Sequence, residues 1–149
     1  TNMKKLLYLK DQELKQYIEK IFVGYRETVS DAKKILDKYS IGVAHNKVIH
    51  LISLYEGITI SELLKKLKIT KQSLNRVLKD LIKLNVIIFK KNENDTRIKH
   101  VFLTEYGIKL FDEIFSIQKK RIHNAFLNSR AEEIISFNNV LKKIINGKL

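Results

Sequence analysis

The chain has no cysteine, which excludes a disulfide framework, a thiolate zinc site and a thiol redox switch and makes a reducing compartment the expected setting. Glycine is scarce: the five residues stand at 24, 42, 57, 107 and 147, and no glycine-rich phosphate loop can be built from them. No apolar run approaches the roughly 18 residues that a membrane span requires. The opening stretch MKKLLYLK imitates a secretion signal, but Lys10 and Asp11 end its apolar run too early for an h-region. It reads as the approach to a helix, and the chain is expected to be cytoplasmic with no membrane partner.

What is present in excess is positive charge. The net charge is +13 over 149 residues, one domain with a real core. Residues 68–100 hold nine Lys or Arg against three Asp or Glu, so +6 is concentrated in this segment. A clustered basic balance implies a polyanionic partner, either nucleic acid or an acidic membrane surface.

Thr70 to Leu84 (TKQSLNRVLKDLIKL) organises the rest. The Thr70 hydroxyl is a suitable N-cap for a helix. Leu74, Val77, Leu78, Leu81 and Leu84 recur at three- and four-residue spacing, an apolar stripe expected to face a core. At 3.6 residues per turn, Gln72, Arg76, Lys79 and Lys83 fall on the opposite face. Long donors near a helix start, with cations further along, suit a reader of the DNA major groove.

The two ends of the chain carry long periodic segments. Leu14 to Tyr39 keeps a helical period; unbroken from Gln12 to Tyr39 the helix would run about 42 Å. The alternative to one unbroken helix is a break at Ser30, as N-cap of a second segment from Asp31. Thr104 to Leu127 is again periodic, and Asn128 or Ser129 is expected to cap a last helix running towards Asn146. These ends are read as a helical dimer interface, and the middle as the working head.

In the middle, Gly42 breaks the chain and Val43 to Tyr55 forms a helix, with Gly57 as its stop. Thr59 and Glu62 have capping-box spacing and open the short helix SELLKKL. Followed closely by Thr70, this is a helix-turn-helix, in which the turn lacks the usual glycine. Val86–Lys91 and Ile98–Leu103 are β-branched and aromatic, separated by the polar run NENDTR, and form a hairpin wing. The wing would hold Arg97 beside a narrow minor groove, with Asp95 orienting Arg97 or the turn. The fold expected is mainly α with a small β-hairpin: residues 1–40 an N-terminal dimerisation region, 41–103 a winged helix-turn-helix, and 104–149 C-terminal dimerisation helices, one domain overall.

Asp95-x-Arg97, followed by Leu103-Thr104 and Gly107, resembles the wing-to-helix signature of the MarR family of bacterial transcription regulators. The stretch SELLKKLKITKQSLNRVLKDLIKLNVI is similar to that family's helix-turn-helix, and the resemblance covers about residues 41–110. Asn85 replaces a usual glycine and Thr96 a common arginine. The resemblance implies a homodimer on a pseudo-palindromic operator, often released by a small-molecule effector, with recognition helices about 34 Å apart. The DNA-binding residues expected are Thr70, Lys71, Gln72, Ser73, Asn75, Arg76, Lys79, Lys83, Lys90, Lys91, Asp95, Arg97 and Lys99. Lysines would supply salt-sensitive affinity and Gln72, Ser73, Asn75 and Arg76 sequence choice.

Similar proteins bind effectors between the dimer helices and the head. Tyr25, Arg26, His45, His50 and Tyr55 are the polar candidates there, each also readable as an ordinary packed or surface group. No metal or other cofactor is expected: His45 and His50 are five apart, about 140° around a helix, and chelation wants i and i+4. Enzymatic readings lack support, since cysteine nucleophiles are excluded and no serine motif occupies a strand-to-helix elbow. The rival reading is a winged-helix module that binds protein rather than DNA. The continuous basic face argues against it, and a membrane-surface role would need an exposed apolar face that the core here consumes.

Overall fold

The computed structural model describes residues 9–147; the reading of residues 1–8 as the approach to a helix lies outside them. Helix α1 (Asp11–Ser30) opens with Asp11 and Glu13 in its first turn, where carboxylates favour the helix dipole. It buries none of its own residues within the single chain. At ~1.5 Å per residue it runs about 30 Å, shorter than an unbroken helix to Tyr39 would be. Of the two alternatives the broken helix is the one formed, but Ser30 is not an N-cap: its hydroxyl donates back to the Glu27 carbonyl at 3.0 Å. The chain turns through Asp31 and Ala32 into the short α2 (Lys33–Lys38). Ala32 and Leu36 are buried there and anchor the junction.

Helix α3 (Val43–Leu54) is central, with Val48, Ile49 and Ile52 in the core. At its exit Gly57 adopts φ +79°, and a Cβ there would come within 3.2 Å of the Phe102 ring. Helix α4 (Ile60–Leu67) begins as Thr59 accepts the Glu62 N–H at 3.1 Å. Lys68, at φ +52°, supplies the left-handed turn that a glycine would otherwise make. Helix α5 (Lys71–Lys83) follows, its Leu74, Val77, Leu78 and Leu81 buried. Burying each of these leucines stabilises the head by roughly 1.5–3 kcal/mol. Leu84 departs from the expected stripe: the helix ends before it, Asn85 reverses the chain at φ +60°, and Leu84 stays 42% exposed.

Strands β1 (Ile87–Lys91) and β2 (Lys99–Leu103) pair antiparallel, Ile87 opposite Leu103 and Lys91 opposite Lys99. A contact not foreseen extends this ladder: Thr59 bridges His100, and the Val101 N–H donates to the Ile58 carbonyl at 2.9 Å. The hairpin is thereby tied to the entrance of α4. Thr104 then caps α6 (Glu105–Leu127), accepting the Gly107 N–H at 2.9 Å.

Helix α7 (Ala131–Asn146) starts from Arg130, not from Asn128 or Ser129. Both of those side chains turn back to α6, Asn128 to the Asn124 carbonyl and Ser129 to the Ala125 carbonyl, each at 2.8 Å. The Glu133 carboxylate instead accepts the Arg130 N–H at 3.0 Å. Like α1, α7 buries no residue of its own, so a mainly helical chain with one hairpin carries its core in the middle and its apolar surplus at the ends. Among the described residues no helix is long and apolar enough to cross a membrane.

Candidate nucleic-acid interface

With its leucines turned inward, α5 presents Lys71, Gln72, Asn75, Arg76, Lys79 and Lys83 to solvent. Among the described residues none of its Lys or Arg side chains forms an ion pair. Thr70 and Ser73 are committed to the helix start. The Thr70 hydroxyl accepts the Ser73 N–H at 3.1 Å and donates to the Ser73 hydroxyl at 2.9 Å. That capping leaves Lys71, Gln72, Asn75 and Arg76 as the free long or amide side chains at the helix start.

Asp80 is the one carboxylate on this helix, and it is turned aside. Its Oδ2 meets His45 Nε2 at 3.0 Å, so it does not neutralise Arg76 one turn earlier. On the wing, Asp95 grips Arg97 with both oxygens: Oδ1 accepts from the Arg97 N–H and Nε, and Oδ2 from Nη2, all at 3.0 Å. The Arg97 guanidinium, and then its backbone N–H, hold the Asp95 carboxyl below the usual carboxylate range. The other edge of the guanidinium has no partner among the described residues, and the Arg97 side chain is 88% exposed. Two wing lysines lie on aromatic rings, Lys90 4.8 Å from the Phe102 centroid and Lys99 5.5 Å from that of Phe89. Such cation–π contacts favour poses along the hairpin over free rotation. Lys91 is exposed at the end of β1.

A second feature lies on the opposite side of α3. A cavity of about 680 Å³ opens between α1, α3 and α6, with the end of α4 at its edge. Of the five effector candidates it takes in Tyr25 and His50. Arg26 lines a neighbouring hollow of about 560 Å³, which also touches Tyr25. His45 is engaged with Asp80, and Tyr55 lies under the Lys66 ammonium, 4.3 Å from its ring centroid. His45 and His50 thus serve separate contacts, the second ring standing edge-on to Phe111 at 5.7 Å.

The cavity also contains residues that the sequence reading missed. Asn46 is 6% exposed, and its Oδ1 has no hydrogen-bond partner among the described residues. Its Nδ2 faces Gln118 Oε1 at 3.4 Å, and Gln118 donates to the Thr28 carbonyl at 3.2 Å. Lys47, Lys119 and His123 add positive or titratable groups to an otherwise apolar wall. The one local signal was Asn46 itself, a polar residue on the apolar side of α3.

This geometry defines a class: a helix-turn-helix with an uncompensated basic recognition helix, a hairpin wing beside it and long apolar-flanked helices at both ends. A model of the MarR family matches residues 44–98. The chain is 36% identical over 141 residues to the HTH-type transcriptional regulator PetP of Rhodobacter capsulatus, covering 95% of this chain and 85% of that protein. Among solved structures it is similar to a cysteine-to-serine variant of E. coli MarR complexed with operator DNA. The identity there is 25% and the TM-score 0.66, over 89% of this chain and 95% of that one. It also shares its fold with NadR in complex with 4-hydroxyphenylacetate, at 20% identity and a TM-score of 0.76, covering 86% and 91% of the two chains. The chain belongs to the MarR family of transcription regulators.

Proposed function

We propose that two copies of the chain bind a pseudo-palindromic DNA operator, each placing α5 in a major groove and Arg97 at the adjacent minor groove. The observation that carries this reading is the uninterrupted positive face of α5, from which Asp80 is withdrawn by His45. Lys71, Lys79, Lys83, Lys90, Lys91 and Lys99 meet phosphates, and Gln72, Asn75 and Arg76 reach base edges. Thr70 and Ser73 contribute mainly by holding the helix start, and Asp95 by holding Arg97. The operator-bound E. coli MarR supports the docking mode.

In this reading residues 1–40 and 104–149 pair the two copies and residues 41–103 form the head. The exposed apolar side chains of α1 and α7, such as Ile18 at 61% and Ile145 at 77%, supply the pairing surface. The cavity beside α3 holds a small-molecule effector that shifts the head relative to the paired helices; the unpartnered Asn46 Oδ1 supports a ligand that donates a hydrogen bond. The protein acts in the cytoplasm, on the nucleoid, as a regulator and not as an enzyme.

Fluorescence anisotropy with DNA from the region upstream of the protein's own gene, against a scrambled duplex at two salt concentrations, tests this. Selective binding by a dimer, weakened steeply by salt, is the expected result. Absence of binding to either duplex at low salt would turn the reading towards a protein-binding winged-helix module.

A further inference from the structure

His100 stands on β2 opposite Lys90, and its backbone bridges Thr59 at the entrance of α4. Its ring is held on both sides: Nδ1 lies 2.8 Å from the Gly57 carbonyl oxygen, and Nε2 lies 2.9 Å from Asn92 Nδ2. The Asn92 amide has only one workable orientation. Its Oδ1 accepts the backbone N–H groups of Asn94 and Asp95, at 2.9 and 3.1 Å, and a flipped amide would set donor against donor. Nδ2 is therefore the group that faces the ring. Nε2 must accept, and the imidazole proton must sit on Nδ1, donated to Gly57. The chain of bonds continues outward, because Asp95, whose N–H Asn92 fixes, holds the Arg97 guanidinium.

We propose that His100 and Asn92 are positioning residues for DNA binding: a neutral imidazole protonated on Nδ1 locks the wing turn to the Gly57–Thr59 segment and so sets where Arg97 meets the duplex. The proposal rests on the DNA-binding reading given above. A protonated ring would point an N–H at the Asn92 amide hydrogens and open the link. The charged groups on the surrounding elements are engaged elsewhere or exposed. Lys90 lies on Phe102, Lys91, Glu56, Glu62 and Glu93 are exposed, and Asp95 is committed to Arg97. On α3, His45 is bound to Asp80, His50 stands against Phe111 and Lys47 lies over Tyr25. Acid therefore weakens the wing's contribution, opposite in sign to what added positive charge alone does to phosphate binding.

Two measurements test this. The first reads the tautomer in the DNA-free wild-type protein by long-range proton–nitrogen NMR of the imidazoles at neutral pH. Protonation on Nδ1 is expected, and an Nε2–H tautomer or a charged ring overturns the proposal. The second follows affinity for a duplex enriched from a random-sequence pool by the wild-type protein, between about pH 8 and about pH 5. Relative to His100→Ala, which cancels the effect of the other histidines, wild-type affinity should fall about three- to tenfold towards acid. Asn92→Asp keeps the acceptor for both backbone N–H groups but presents a carboxylate to the ring, so the sign of this pH dependence should reverse. On an Arg97→Ala background, His100→Ala should cost little more. Equal pH profiles for wild type and His100→Ala, or full additivity with Arg97→Ala, overturn the proposal while leaving DNA binding intact. Failure of the wild type to enrich any duplex, with the tautomer as expected, overturns the DNA reading and this inference with it.

Discussion

His45 donates from Nε2 to Asp80 Oδ2 at 3.0 Å, joining the first turn of α3 to the recognition helix across 35 positions of sequence. The direction of the bond follows from the other ring nitrogen, which accepts the Gly42 N–H at 3.1 Å and so cannot carry the proton of a neutral ring. One histidine thus completes the start of α3 and draws a carboxylate off the basic face. His45→Ala and Asp80→Ala should each lower unfolding stability by about 0.5–1.5 kcal/mol, and the double variant should cost less than their sum. Strict additivity in urea titrations would mean that the bond does not form in solution.

The proposed base-reading role of Arg76 predicts that Arg76→Ala costs roughly 1–3 kcal/mol of operator affinity and relaxes the preference at one base pair. Lys79→Ala should instead weaken all duplexes alike and lower the salt slope by about one. An Arg76→Ala protein with unchanged operator affinity in a gel-shift titration would remove that residue from the interface.

Two non-glycine residues occupy left-handed turns on either side of α5, Lys68 at φ +52° and Asn85 at φ +60°. Lys68→Gly should raise the urea midpoint, by up to about 1 kcal/mol in stability, since the Cβ penalty disappears. Asn85→Val should lower stability by roughly 1–2 kcal/mol, because a β-branched side chain fits that conformation worst.

Gly107 tolerates nothing larger. A Cβ there would overlap the Val86 carbonyl, the same oxygen that accepts the Thr104 N–H at 3.0 Å. Gly107→Ala should cost about 1–3 kcal/mol by overpacking, seen as a lower melting temperature. An unchanged melting curve would place α6 further from β1 than described.

Acid should loosen the joint between α1 and α6. Arg121 holds Asp31 through Nε at 2.6 Å and Nη2 at 2.9 Å, and this guanidinium keeps the Asp31 carboxyl below its usual range. A depressed folded-state value means the contribution is complete above the ordinary aspartate value of about 3.9 and is lost as pH falls through the lower, folded one. Unfolding stability followed downward from about pH 5 should therefore decline less steeply in Asp31→Asn than in the wild type.

The recognition helix was readable because its signals are local. Thr70 caps a residue three positions away, and Leu74, Val77, Leu78 and Leu81 need only the helical period to share a face. Extending that period to Leu84 failed because the chain reverses at Asn85, a backbone event that apolar spacing does not record. Ser30, Asn128 and Ser129 misled for a different reason. A small polar residue at a helix boundary can bond forward as a cap or backward to a carbonyl, and here all three bond backward. The Thr59–His100 bridge and the Asn46–Gln118 contact join segments far apart in the chain, and no local pattern announces either.

Helices α1 and α7, which bury nothing of their own, have a consequence for how the protein responds to its own abundance. If the proposed pairing of two copies supplies their missing apolar contacts, part of the folding free energy is bimolecular and scales with the logarithm of protein concentration. Dilution then loosens the ends of the chain before the head, whose core is complete within one copy. The number of molecules in a cell would set both how much operator is occupied and how much of each molecule is folded.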